Sequence, residues 1–318
     1  MIESFVQSFQ VRLGSARLSL RPGLFGAAAV AAALAGCSAL VPSDEAGDRH
    51  ADASVRADAD SERPGAAPES PGPAPQAELP TQVPPFSVAV PGSKLPPGWE
   101  AWIVHPQKKR TAYEVLSDSG SRVLKASAVE SASGLLAKVD VDPLSTPVLE
   151  WRWRADGLVP GADNTDGALE DSPVRVVLAF EGDKDALPVR DRMFFERVKL
   201  FTGRDMPYAT LMYIWENRLP VDTVLPNPHT GRIQKVVVAS GDAGLKKWHL
   251  MRRNYVADYK RAFGKPPGKL IGVAVMTDTD NTKSRVVAYY GDIRVLPDPV
   301  ARSGGTGLAA VGPIGSGN

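Results

Sequence analysis

One cysteine, Cys37, and four histidines are all the thiol and imidazole chemistry that 318 residues offer. A lone thiol excludes a disulfide framework within the chain and any cysteine-rich metal site. His50, His105, His229 and His249 stand in no spacing that would place two of them on one metal ion. Also missing are a Gly-x-Ser-x-Gly nucleophile elbow, a phosphate-binding Walker loop and a dinucleotide fingerprint. No cluster of lysine and arginine occurs and the net charge is only +1, which argues against a nucleic-acid partner. No apolar run reaches the ~20 residues that a membrane-spanning helix needs.

The longest apolar run, LFGAAAVAAALAG over residues 24–36, is uncharged and follows Arg12, Arg17 and Arg21. At that length it reads as the core of an export signal, not a permanent span. It closes on Leu34-Ala35-Gly36-Cys37, which resembles the lipobox of bacterial lipoproteins. The resemblance implies that the Cys37 thiol receives a diacylglyceryl group, that the chain is cut before it, and that the new amine is acylated. Each buried methylene contributes ~0.8 kcal/mol, so two or three chains hold a protein at a membrane where one binds marginally. Ser38 follows the cysteine where inner-membrane retention would favour Asp, which points to the outer membrane and leaves its periplasmic or surface face open. A start at Val11 would give a leader of more usual length.

Residues 38–78 carry nine acids against three arginines and almost no large apolar side chain. Such a stretch cannot bury enough surface to offset its ordering entropy, so a disordered tether is expected. Pro64, Pro68, Pro71, Pro73, Pro75 and Pro80 stiffen its second half toward polyproline geometry. The Gly-rich stretch 298–318 is expected to be a floppy tail. The reading is therefore a signal peptide over 1–36, a lipidated cysteine and tether over 37–85, a folded domain over 86–297 and the tail.

Within the domain the apolar pattern has mainly period two, bounded by Gly, Pro, Asn and Asp. Strands are predicted over 99–104, 111–116, 122–129, 134–141, 147–154, 173–180, 208–215, 233–240, 247–252, 269–277 and 285–296. Helices are predicted over 189–202, with Met193, Phe194, Val198 and Phe201 on its apolar side, and over 255–263, capped by Asn254 and stopped at Gly264. Many short strands with two helical insertions make an all-β, jelly-roll-like β-sandwich. Alternation puts Trp151 and Trp153 on a core face, and the apolar run 270–276 on a central strand covered from both sides.

The run Trp151-Arg152-Trp153-Arg154, the segment YIWENRLPVDTVLPNPHTGR (213–232), the stretch 255–264, and VAVMTDTDNT (273–282) with Tyr290-Gly291-Asp292-Ile293 resemble an uncharacterised bacterial family. It is the domain of unknown function 3047. The resemblance spans about residues 99–296 and implies a fold family and an envelope setting, with no catalytic residues to carry over. The last strand is also loosely similar to that of carbohydrate-binding jelly rolls.

Four groups could carry chemistry. Asp278, Asp280 and Asn281, joined by Asp166 of the acidic loop Asp163, Asn164, Asp166, Glu170, Asp171, offer hard oxygens suited to Ca²⁺. A plain turn explains Asp278–Thr282 equally well and is the simpler account. Arg152, Arg154 and Arg175 oppose apolar residues and present guanidinium forks suited to carboxylates on an acidic polymer, or to cross-strand ion pairs. Among the aromatics, Trp215 and Trp248 lie near loops and are the better candidates for stacking on sugar rings. Finally, acids such as Glu130, Glu150, Glu196, Glu216, Asp278 and Asp280 could supply the carboxylate pair of a glycosidase or lyase, a pair defined by distance and not by spacing in the chain. The favoured function is a non-catalytic binding or structural module of the envelope, directed to a glycan. The alternatives are a glycan-active hydrolase or lyase, and a protein-interaction module of an envelope complex.

Overall fold

The computed structural model describes residues 78–118 and 120–298. Cys37 with its lipobox, the acidic part of the tether and the Gly-rich tail lie outside the described residues. Twelve strands are distributed over two sheets. In chain order they are β1 Glu100–Trp102, β2 Ala112–Asp118, β3 Ser121–Val129, β4 Ala132–Val141, β5 Val148–Ala155, β6 Ser172–Phe180, β7 Ala209–Glu216, β8 Val224–Pro226, β9 Ile233–Ser240, β10 His249–Asn254, β11 Leu270–Asp278 and β12 Arg285–Leu296. Two helices interrupt them, α1 Val189–Thr202 and α2 Tyr255–Phe263.

The seven-stranded sheet runs β1-β4-β11-β6-β7-β9-β8 and the five-stranded sheet β10-β5-β12-β3-β2. Consecutive strands change sheets repeatedly, which is how a jelly roll is wound. Between β3 and β4 the change takes only Glu130 and Ser131, with Glu130 left-handed at φ 49° and its amide on the Ser284 carbonyl at 2.8 Å. Every pairing is antiparallel except β7 with β9. The apolar run 270–276 forms β11 and lies between β4 and β6, as a strand buried on both faces should.

Period-two alternation decides what fills the space between the sheets. From β5 it turns Trp151 and Trp153 inward, and from β7 Tyr213 and Trp215; all four are buried. Trp151 stacks on Tyr213 with ring centres 5.0 Å apart, meets Trp153 edge-on at 5.4 Å, and Trp153 reaches Trp215 at 6.5 Å. Each such ring removes ~150–250 Å² from water, so this aromatic row holds the layers together. Val174, Val176, Leu178 and Phe180 of β6 complete the inner face.

The outer face of the seven-stranded sheet is also covered. Phe194, Phe195 and Val198 of α1 are buried. At one end of the domain α2 brings Tyr259 edge-on to Phe180 at 4.7 Å. Opposite α1, the loop from Asp163 to Asp171 folds back over the sheet.

Candidate functional site

Arg175 opposes the apolar positions of β6, so its side chain leaves the core and enters the outer face of the seven-stranded sheet. The returning acidic loop buries it there completely. Its Nη1 meets Glu170 Oε1 at 3.0 Å, its Nη2 donates to the Glu170 carbonyl at 3.1 Å, and Asp278 Oδ2 of β11 lies 3.4 Å away. Lys235 of β9 enters the same space, with Nζ 3.3 Å from Glu170 Oε1 and donating to the Asn164 carbonyl at 3.1 Å.

These partners respond oppositely to burial. At Lys235 desolvation wins and pushes the ammonium below its usual range. Burial also works against the Glu170 carboxylate, while Lys235 and Arg175 draw it down, below the ordinary carboxylate range. Arg175 is likewise penalised by burial, and Asp278 and Glu170 restore and strengthen its charge.

Beside this pair stand three more acids. One oxygen each of Asp171, Asp278 and Asp280 lies within 4.8 Å of the others. Burial, with Asp171 close by, drives Asp278 well above its usual range. Burial disfavours ionised Asp280 too, yet the hydrogen bond to Asp278 and the Lys108 ammonium at 2.7 Å keep it low. The two shifts point in opposite directions, so Asp278 is the acid of this pair that holds a proton more readily. Asp171 receives the amides of Asn281 at 3.3 Å and Thr282 at 2.8 Å, and the Thr282 hydroxyl at 2.7 Å.

This placement corrects the expected Ca²⁺ set. Asp278 and Asp280 do come together, under the acidic loop. Asn281 instead donates its side-chain amide to the Gly167 carbonyl at 2.9 Å, and exposed Asp166 caps the Ala168 amide at 2.8 Å. The third carboxylate is Asp171. The trio could offer oxygens to a cation, and Lys108 and Arg175 already stand beside two of its carboxylates. The other acids considered for catalysis have partners of their own or lie exposed. Glu216 is buried and caps the Arg218 and Leu219 amides, Glu150 pairs with Arg252 and Arg294, and Glu130 and Glu196 are exposed on separate elements.

Arg152 and Arg154 lie far from this cluster in the topology, on the outer face of the five-stranded sheet, so the three arginines form no common set. Arg154 lies over Tyr289 of β12 at 3.8 Å, and both arginines approach Trp248, at 4.9 and 5.4 Å. Asp118 binds the group from below, accepting from Trp248 Nε1 at 2.8 Å and Arg154 Nη1 at 3.1 Å. Gly291 is required here: a Cβ on it would fall 2.4 Å from the Arg152 side chain. Trp248, Tyr289 and both arginines are half-buried. Trp215 is corrected in the opposite sense. It is 1% exposed, its Nε1 donates to the Gly241 carbonyl at 2.9 Å, and His249 meets it edge-on at 5.1 Å, so it offers no face to a ligand.

Lys108 and Lys235 were not singled out from the sequence. Lys235 did leave a signal, a lone charge inside the strand pattern Ile-Gln-Lys-Val-Val-Val. A cation at such a position is buried only with a partner.

No curated protein sequence matches the chain. Among solved structures it is similar to a family 12 xyloglucanase from Bacillus licheniformis, at 8% identity over 68% of this chain and 98% of that one, with a TM-score of 0.36. It is similar also to endoglucanase 3 of family GH12 from Trichoderma harzianum, at 9% identity over 71% and 100% with a TM-score of 0.35. A third similarity is to the Emp47p carbohydrate recognition domain, at 10% identity over 68% and 95% with a TM-score of 0.29. The profile of the family described as Protein of unknown function (DUF3047) matches residues 97–294, well over half of the sequence, and the chain belongs to that family.

Proposed function

We propose that the protein is an envelope lipoprotein, held at the outer membrane by lipid on Cys37, whose sandwich domain binds an anionic glycan without transforming it. The observation that supports this reading best is the arrangement of Trp248, Tyr289, Arg152 and Arg154 on one sheet face. Half-exposed rings can stack on sugar rings, while guanidinium forks suit the carboxylates of uronic acids. Strands β5 and β12 hold Arg152, Arg154 and Tyr289 in fixed register, and Trp248 directly precedes β10, which lowers the ordering cost of binding. Of the carboxylates considered for catalysis, Glu216 caps a turn, Glu150 pairs with two arginines, and Asp278 and Asp280 are engaged by Arg175 and Lys108.

The test uses the full chain carrying Cys37→Ser, titrated calorimetrically with polygalacturonate and with neutral dextran. Binding of polygalacturonate alone is expected, weakened about tenfold or more by Trp248→Ala and by Arg154→Gln, since a buried charged contact contributes ~1.5–3 kcal/mol. Equal binding by the variants, or none by the parent, would overturn the glycan reading. The anchor is checked separately by incorporation of labelled palmitate, which Cys37→Ser should abolish.

A further inference from the structure

Between α1 and the outer face of the seven-stranded sheet lies a cavity of about 160 Å³. Its walls are Leu136, Val177, Met212, Ile233 and Ala274 from five adjoining strands, with Val198 of α1 as the roof. Interiors pack with few voids larger than a water molecule, and an apolar void of this size stays dry unless an apolar group enters it. The sequence explains why it is open. Ala179 and Ala274 put only methyl groups under the helix, and α1 spends Met193, Leu200 and Phe201 on its solvent side, where they are 59%, 79% and 42% exposed.

The mouth is polar, formed by Thr202, the last residue of α1, and by Arg204 and Asp205 just past the left-handed Gly203. Asp205 is engaged by Lys199 at 3.1 Å. Arg204 is exposed, and its guanidinium reaches only the Ala101 carbonyl of β1's edge, at 3.4 Å. Among the described residues no carboxylate pairs with it. An apolar chamber with an open mouth, under one uncompensated cation, has the chemistry of a site for an amphiphilic anion.

We propose that this cavity binds a medium-chain fatty acid, its tail inside and its carboxylate on Arg204. A void near 150 Å³ accepts a group the size of benzene, which sets the buried tail at roughly six to eight carbons. The site is on a different sheet from the Arg152–Trp248 face, so the two proposals stand or fall separately.

The experiment titrates the delipidated full chain carrying Cys37→Ser, free of detergent, with octanoate, butyrate, hexadecanoate and 1-octanol. Octanoate should bind one per chain. Butyrate should bind about a hundredfold more weakly, from loss of four methylenes at ~0.8 kcal/mol each. Hexadecanoate should bind no tighter than octanoate, because the cavity is already full. Arg204→Gln should weaken octanoate about tenfold or more and leave 1-octanol unchanged. Ala179→Leu, which fills the chamber, should abolish binding while thermal unfolding stays cooperative. Should that variant fail to fold, the exposed Arg204→Gln decides alone. Absence of octanoate binding, binding retained in folded Ala179→Leu, or equal weakening of octanoate and 1-octanol by Arg204→Gln would each overturn the proposal.

Discussion

Arg175 shows what one residue can reveal and conceal. Its place in the sequence, alternating against Val174 and Val176, puts it on the face away from the sandwich core, and the structure places it there. Its burial is not readable from the strand, because the cover and one partner come from Glu170 and Asp171 of a preceding loop and the other partner, Asp278, from β11. A buried cation with such partners is costly to remove singly. Arg175→Met leaves Glu170 with Lys235 alone and Asp278 with less compensation, and the expected loss is about 3–5 kcal/mol in urea unfolding. Trp215 teaches the converse. Proximity to a loop suggested exposure, but Trp215 shares its strand face with Leu211 and Tyr213, and that alternation was the better guide.

Among the elements, the strands were legible because half-buried faces print period two on the sequence. All eleven expected strands are present, shifted by a residue or two at their ends. Missed was β8, three residues ending in Pro226 at a sheet edge, too short to show alternation. The parallel pairing of β7 with β9 was equally invisible, since it depends on a crossover and not on either strand's own pattern. In α1 the expected apolar side was rotated. Asp191 is buried and accepts from the Thr230 hydroxyl at 2.7 Å, turning Phe194, Phe195 and Val198 inward and Met193 and Phe201 outward. For α2 both end signals held. Asn254 Oδ1 accepts from the Ala257 amide at 2.9 Å, and Gly264 takes the left-handed conformation at φ 76°. Asn254→Ala removes that cap and should cost about 1 kcal/mol, read as a lower urea midpoint with unchanged slope.

For the whole molecule, the cluster under the acidic loop makes stability depend on pH with a definite sign. Glu170 has its native carboxyl held below the ordinary range, with Lys235 and Arg175 favouring the anion against burial. Its contribution is therefore complete above the unfolded value near ~4.3 and is lost as pH falls toward the native value. Asp278 acts in the opposite direction. Burial raises it, so above about pH 4 the unfolded chain releases a proton that the native state keeps, and stability declines as pH rises until native Asp278 ionises. The two effects meet on the acid side of neutrality, where the native protein should be most resistant to urea. Glu170→Gln isolates the first of them. The variant should be less stable at neutral pH, because Arg175 and Lys235 lose their nearest anion. It should also lose much of the parent's decline between about pH 4.5 and 2, a slope of up to ~1.4 kcal/mol per pH unit for one proton. Unfolding free energies measured at half-unit intervals decide it: parallel acid limbs in parent and variant would mean that Glu170 is not the group that carries the loss.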